Sequence, residues 1–193
     1  HLKELARKRD ELKARLDKFE VQLTLAQQEV VRREQDLTDF LARRTAMEAE
    51  ITAQAAVLES RQTALVAAQR AYNLALGEFQ QAQMEFNLNP TTANRAALDA
   101  KWNLLAGSAG ASADLQTAQD LLAEAQAKMR DLKNRFLIDT DDEFYHGLQA
   151  RLQEAKDRRF RAKEIVDQLR FDYEKAEADA RLVDAAGAPV NLD

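Results

Sequence analysis

The chain has 193 residues, a formal net charge of −5 and no cysteine. The acidic balance provides no cationic field for phosphate groups, and no basic run carries a series of aromatic side chains for base stacking, so nucleic acid is not expected as a ligand. Without cysteine the chain can form neither disulfides nor thiolate metal sites. No uncharged stretch reaches the ~20 apolar residues of a transmembrane helix, so no membrane span is predicted.

The first half of the chain carries a heptad repeat. Two series of positions, three residues apart, start at Leu2 and Leu5 and continue to Phe86 and Ala82. Eleven of the thirteen residues in the first series and nine of the twelve in the second are apolar. We call these positions the seam; they predict one coiled-coil helix over residues 1–87, with nothing but Gly77 to interrupt it.

The helix is expected to end before Asn89 and Pro90. Asn89 as N-cap and Pro90 as first helical residue predict a short helix that ends at Ala106, and Gly107 and Gly110 then break the chain. We assign residues 88–113 to this turn and call them the tip. Ser112 is expected to cap the next helix.

The last part of the chain, residues 114–186, reads as a jointed return arm. Its seam runs from Leu115 to Phe136 and resumes at Tyr145, displaced by two residues. Because two residues correspond to ~200° of helix rotation, the sequence predicts a joint at 137–140, with Thr140 to Glu143 as the capping box of a new helix. Residues 187–193 are predicted to be a linker, and the chain is interpreted as a piece of a longer protein.

The predicted fold is therefore all-α: a long antiparallel coiled-coil hairpin with one unbroken outward helix and a jointed return arm. The three return helices together nearly match the outward helix in length, which favours an intramolecular hairpin. A parallel homodimer is the alternative, but it would leave the seam of the return arm without a partner. Polar seam residues, Gln54 and four arginines among them, are expected to fix register.

Two charged clusters contain residue types that metal or anion sites use. The segment Asp139–His146 holds four carboxylates and one histidine, but a di-iron site needs a second Glu-x-x-His, and a calcium loop needs Gly where Phe144 stands. Helix capping explains these acids better, so no metal, cofactor or catalytic residue is predicted. The basic run from Lys156 to Lys163 suggests phosphate or anionic lipid, yet we favour its neutralisation across the hairpin by four acids of the outward helix: Asp10, Glu11, Asp17 and Glu20.

The tip is the candidate binding surface. Trp102, the only tryptophan, shares a stripe with Leu98 and Leu105. This stripe either packs on the end of the outward helix, for example against Phe86, or offers an apolar anchor to a partner, as tryptophan does in many interfaces. The predicted partner-binding residues of the tip are Leu88, Asn89, Leu98, Trp102 and Leu105.

The arms from Leu58 to Asn73, the Asn89-Pro90 turn, the Trp102 helix and the Gly107/Gly110 loop together resemble the receptor-binding coiled-coil hairpin of colicin-like bacteriocins. The N-terminal coiled coil of type III secretion translocators is similar in the same layout. The resemblance implies a tip, with Asn89, Pro90 and Trp102, that binds a protein such as an outer-membrane receptor or a secretion-system component. The arms of colicins tend to be rich in lysine, whereas this chain is acidic, and no toxin or translocation domain is present in it.

Two functions are compatible with this architecture, and neither is enzymatic. The first is a spacer and partner-docking module, binding through its tip, of a bacterial envelope-associated or secreted protein. The second is a structural coiled-coil arm of a cytoplasmic ATPase or scaffold protein. The resemblance favours a secreted or cell-envelope location over the cytoplasm.

Overall fold

The structure is a computed structural model that describes the backbone of residues 1–186 and the side chains of residues 1–182. Four α-helices follow one another: α1 is Leu2–Leu88, α2 is Thr92–Ala106, α3 is Ala111–Asp139 and α4 is Asp142–Ala186. No strand occurs in residues 1–186. The all-α hairpin, with one long helix and a jointed return, is confirmed. The predicted linker, residues 187–193, lies outside the described residues.

The chain divides into two compact units. The first unit combines residues 1–42 with residues from 140 onward, so it contains the start of α1 and all of α4. Within it Glu20 pairs with Arg170 at 3.1 Å, and the Phe40 ring lies 5.6 Å from the Tyr145 ring. Residues further along α1 thus contact residues nearer the start of α4, so the two helices run antiparallel.

The core of the first unit is built by seam residues. Leu16 packs with Val166 and Leu169, which are 0% and 5% exposed. Every described seam position from Leu5 onward is buried or half-buried, on α1, α3 and α4 alike. The heptad pattern therefore identifies the buried side chains correctly, and burial of this apolar stripe stabilises helices whose isolated segments would be marginal in water.

The second unit comprises residues 43–139 and holds the end of α1, all of α2 and all of α3. The amide nitrogen of Gln54, which is 5% exposed, donates a hydrogen bond of 3.0 Å to the Ala125 carbonyl on α3. This polar seam residue thus makes a specific contact across the arms, as a register-setting residue should. In contrast, Arg33 and Arg44 pair with carboxylates of α1 itself.

Three helix starts differ from the sequence-based assignment. Thr91, rather than Asn89, is the N-cap of α2: its hydroxyl accepts from the Asn94 backbone N–H at 3.1 Å. Asn89 precedes a proline, which disfavours helical backbone, and its carbonyl accepts from the Thr91 N–H at 2.8 Å in a three-residue turn around Pro90. α3 begins at Ala111, one residue before Ser112.

The third difference lies at the joint. The predicted cap Thr140 is buried, and Asp141 caps α4 instead: its side-chain oxygen accepts from the Glu143 N–H at 3.2 Å, and its carbonyl accepts from the Tyr145 N–H at 3.0 Å. The spacing explains the choice, because an aspartate oxygen that accepts from the N–H two residues further along the chain closes the usual Asx geometry. The joint itself is confirmed.

The cap predicts a stability effect. Asp141→Ala is expected to lower the free energy of unfolding by about 1 kcal/mol, because the Glu143 N–H loses its acceptor. Urea denaturation, with hydrogen exchange of the Glu143 amide, measures the loss. Asp142→Ala is the matched control, since it removes a neighbouring first-turn carboxylate and leaves the cap intact. Equal losses in the two variants would mean that helix-end charge, rather than capping, is responsible.

Candidate functional site at the tip

Close backbone contacts shape the loop between α2 and α3. The Gly107 N–H donates to the Asn103 carbonyl and the Gly110 N–H to the Gly107 carbonyl, both at 2.9 Å. A Cβ on Gly107 would lie 2.5 Å from the Asn103 oxygen, and one on Gly110 would lie 2.9 Å from the Leu105 oxygen. Glycine is therefore required at both positions for the loop to pass this close to the last turn of α2.

Trp102 lies on α2 and packs against the end of α1. Its ring centroid is 5.2 Å from that of Phe79, with the ring planes tilted by 52°. Phe79, rather than Phe86, is thus its aromatic neighbour. The Arg95 guanidinium lies over the Phe86 ring instead, with its central carbon 5.7 Å from the ring centroid. Trp102 nevertheless remains 51% exposed, so one side of the ring is held by the fold while the other faces solvent.

The other predicted tip residues occupy different environments. Leu88, at the end of α1, is 83% exposed, and Asn89 is exposed as well. Leu98 is half-buried. Leu105 is 6% exposed, so it is a core residue and does not belong to the surface.

Leu104 is an exposed tip residue that sequence reasoning missed. It is 59% exposed and lies two residues after Trp102. The helical period that groups Leu98, Trp102 and Leu105 places Leu104 off their stripe, so the stripe does not predict it as a surface residue. The sequence does contain a signal for its exposure, because Leu104 is a large apolar side chain that lies off the buried stripe of a short amphipathic helix.

The tip presents little unpaired charge. Its three charged residues are Arg95, Asp99 and Lys101. Arg95 lies 3.5 Å from Asp99, and the Lys101 ammonium lies 3.0 Å from the Glu78 carboxylate on α1. Burial of this surface against another protein would therefore remove few isolated charges from water, which lowers the desolvation cost of binding.

The remaining clusters have local structural roles. Within the described residues no group of three or more His, Cys, Asp and Glu side chains is placed to hold a metal ion. At the start of α4, His146 Nδ1 lies 3.3 Å from the Gln149 oxygen and its ring lies 5.9 Å from that of Tyr145. Over the described part of the chain, no helix combines the length and apolarity needed to cross a membrane.

Comparison of the chain with protein families, with curated proteins and with solved structures finds no match.

Proposed function

We propose that this chain is a non-enzymatic spacer and partner-docking module of a larger, envelope-associated or secreted bacterial protein, and that it binds a protein partner through its tip. The observation that carries the proposal is Trp102, which is supported on one face by Phe79 and is 51% exposed. An aromatic side chain held in place by packing loses little conformational entropy on binding, and tryptophan is enriched among the residues that dominate interface energies.

The surroundings of Trp102 also support docking at this position. Leu88 and Leu104 are exposed apolar residues of the tip as well, and the three charged residues of the tip are already in ion pairs. Along the arms the apolar seam is covered by the opposite helix, while apolar side chains outside the seam, such as Phe160 and Phe171, are exposed. Charged residues make up 32% of the whole chain, and few of them lie in the tip.

Site-specific photo-crosslinking tests the proposal. A photoreactive amino acid replaces Leu104, which is exposed on the tip, and in a second variant it replaces Phe171, which is 64% exposed on α4. Both chains are incubated with envelope extracts of candidate target bacteria. We expect a discrete protein adduct from position 104 that is absent from position 171. Adducts from position 171 alone, or from neither position, would mean that the tip is inert and would favour a purely structural arm.

A further inference from the structure

The basic run on α4, Lys156 to Lys163, does not have the neighbours that its sequence suggests. Four acids of α1 were expected to neutralise it, and each of them is paired elsewhere: Asp10 with Arg9, Glu11 with Arg7, Asp17 with Lys13 and Glu20 with Arg170. The hydrogen bond to Asp17 also raises the pKa of Lys13. The expectation of cross-arm neutralisation by these acids is therefore wrong.

The antiparallel register explains the error. Arg158, with Ala155 and Ala162 on either side of it, lines a groove with Ala26, Glu29 and Arg32 of α1, which places the run beyond Glu20 along that helix. Glu29, the acid in this groove, is already bound by Arg32 and by Arg33 at 2.8 Å. In the described part of the chain, no ion pair involves any of the five cations of the run: Lys156, Arg158, Arg159, Arg161 and Lys163.

An exposed aromatic side chain lies among these cations. Phe160 is 63% exposed. Lys156 and Lys163 stand four residues before it and three residues after it on the same side of the helix, together with Asp157 and Glu164. Asp157 is the one acid within the run, and it accepts a hydrogen bond from Gln153. The run therefore combines a local excess of positive charge with an apolar side chain directed to solvent.

From this arrangement we infer that the basic run is a docking surface for the phosphate-bearing face of an anionic lipid bilayer. Long lysine and arginine side chains reach lipid phosphates while their stems and a phenylalanine enter the interfacial layer. Phe160, Arg161 and Lys163 are exposed on α4, and an exposed helix surface suits a flat partner better than a small anion that needs a pocket. Although the chain has a net charge of −5, remote acids are screened beyond ~8 Å at physiological salt, so the local charge dominates. This inference is independent of the tip.

Vesicle flotation with the full chain tests this inference. The probes are neutral phosphatidylcholine vesicles and vesicles that also contain phosphatidylglycerol. Binding is expected to the anionic vesicles only, and to weaken as salt increases. Replacement of Arg158, Arg161 and Lys163 by glutamine should lower the partition coefficient by about 100-fold, because each cation contributes roughly fivefold. Phe160→Ser should weaken binding as well, with unchanged circular dichroism.

The matched control replaces Arg130, Lys133 and Arg135 of α3 by glutamine, which changes the net charge equally at three exposed positions. This control should bind anionic vesicles like the wild type. Three outcomes would overturn the inference: no binding to anionic vesicles at low salt, equal loss in both triple variants, or equally tight binding to soluble poly-glutamate. The last outcome would assign the run to an acidic protein partner instead.

Discussion

Phe40→Ala is expected to lower the free energy of unfolding by about 3–5 kcal/mol, the largest stability effect that we expect in this chain. Phe40 is 2% exposed, and its ring lies 5.7 Å from that of Phe144 and 5.6 Å from that of Tyr145. The substitution removes a large side chain from the contact between α1 and the first turns of α4, and a two-helix layer has no further core residues that could fill the space.

Urea denaturation monitored by circular dichroism measures this loss, and hydrogen exchange at Tyr145 and Leu148 shows where protection disappears. Phe171→Ala is the matched control: the same atoms are removed from a side chain that is 64% exposed, and a change within about 0.5 kcal/mol is expected. A loss below about 1 kcal/mol for Phe40→Ala would contradict the packing of α1 on α4 described above.

Trp102→Ala is expected to weaken binding of the tip's protein partner by about 2 kcal/mol or more, which is roughly 30-fold in affinity. The same substitution should cost only about 1–2 kcal/mol of stability, because half of the side chain is already in water and the lost packing includes one ring contact, with Phe79. A fully buried tryptophan would cost ~3–5 kcal/mol. The two readouts therefore separate an interface anchor from a core residue.

The measurements are thermal melts of the variant and its affinity for the protein that position 104 cross-links. Trp102→Phe is the conservative control, since it keeps a ring against Phe79 and should retain most of the affinity and the stability. Phe171→Ala controls for the loss of exposed aromatic area on an arm. A large drop in melting temperature with unchanged affinity would identify Trp102 as a structural residue and would end the proposal for the tip.

The helix content and the buried face were predictable because both follow from local pattern. Heptad spacing places Leu16, Phe40 and Gln54 on one side of α1 whatever the partner, and all three are buried. The displaced register before Tyr145 likewise predicts a joint, because a continuous helix cannot keep both stripes on one face. Helix caps were predicted less well: each of the three starts is shifted by one or two residues, since neighbouring polar side chains compete for the same backbone N–H groups.

Contacts across the arms could not be read from the sequence. The predicted pairing of the basic run with Asp10 to Glu20 depends on the register between the two arms. A heptad repeat does not specify this register, because the same pattern recurs every seven residues. The structure places the run beside Ala26 and Glu29 instead. The aromatic partner of Trp102 was missed for the same reason, since Phe79 and Phe86 occupy equivalent seam positions one heptad apart.

By itself, the sequence determined that this protein is an all-α chain with one long helix, a glycine-containing turn and a jointed return, because apolar spacing, proline and glycine act within a few residues of where they stand. Only the tertiary structure decided the pairing of heptads, and with it the burial of Leu105, the half-exposure of Trp102 and the absence of the expected acids beside Arg158. These features depend on which distant residues come into contact, a choice made by the combined packing of both arms.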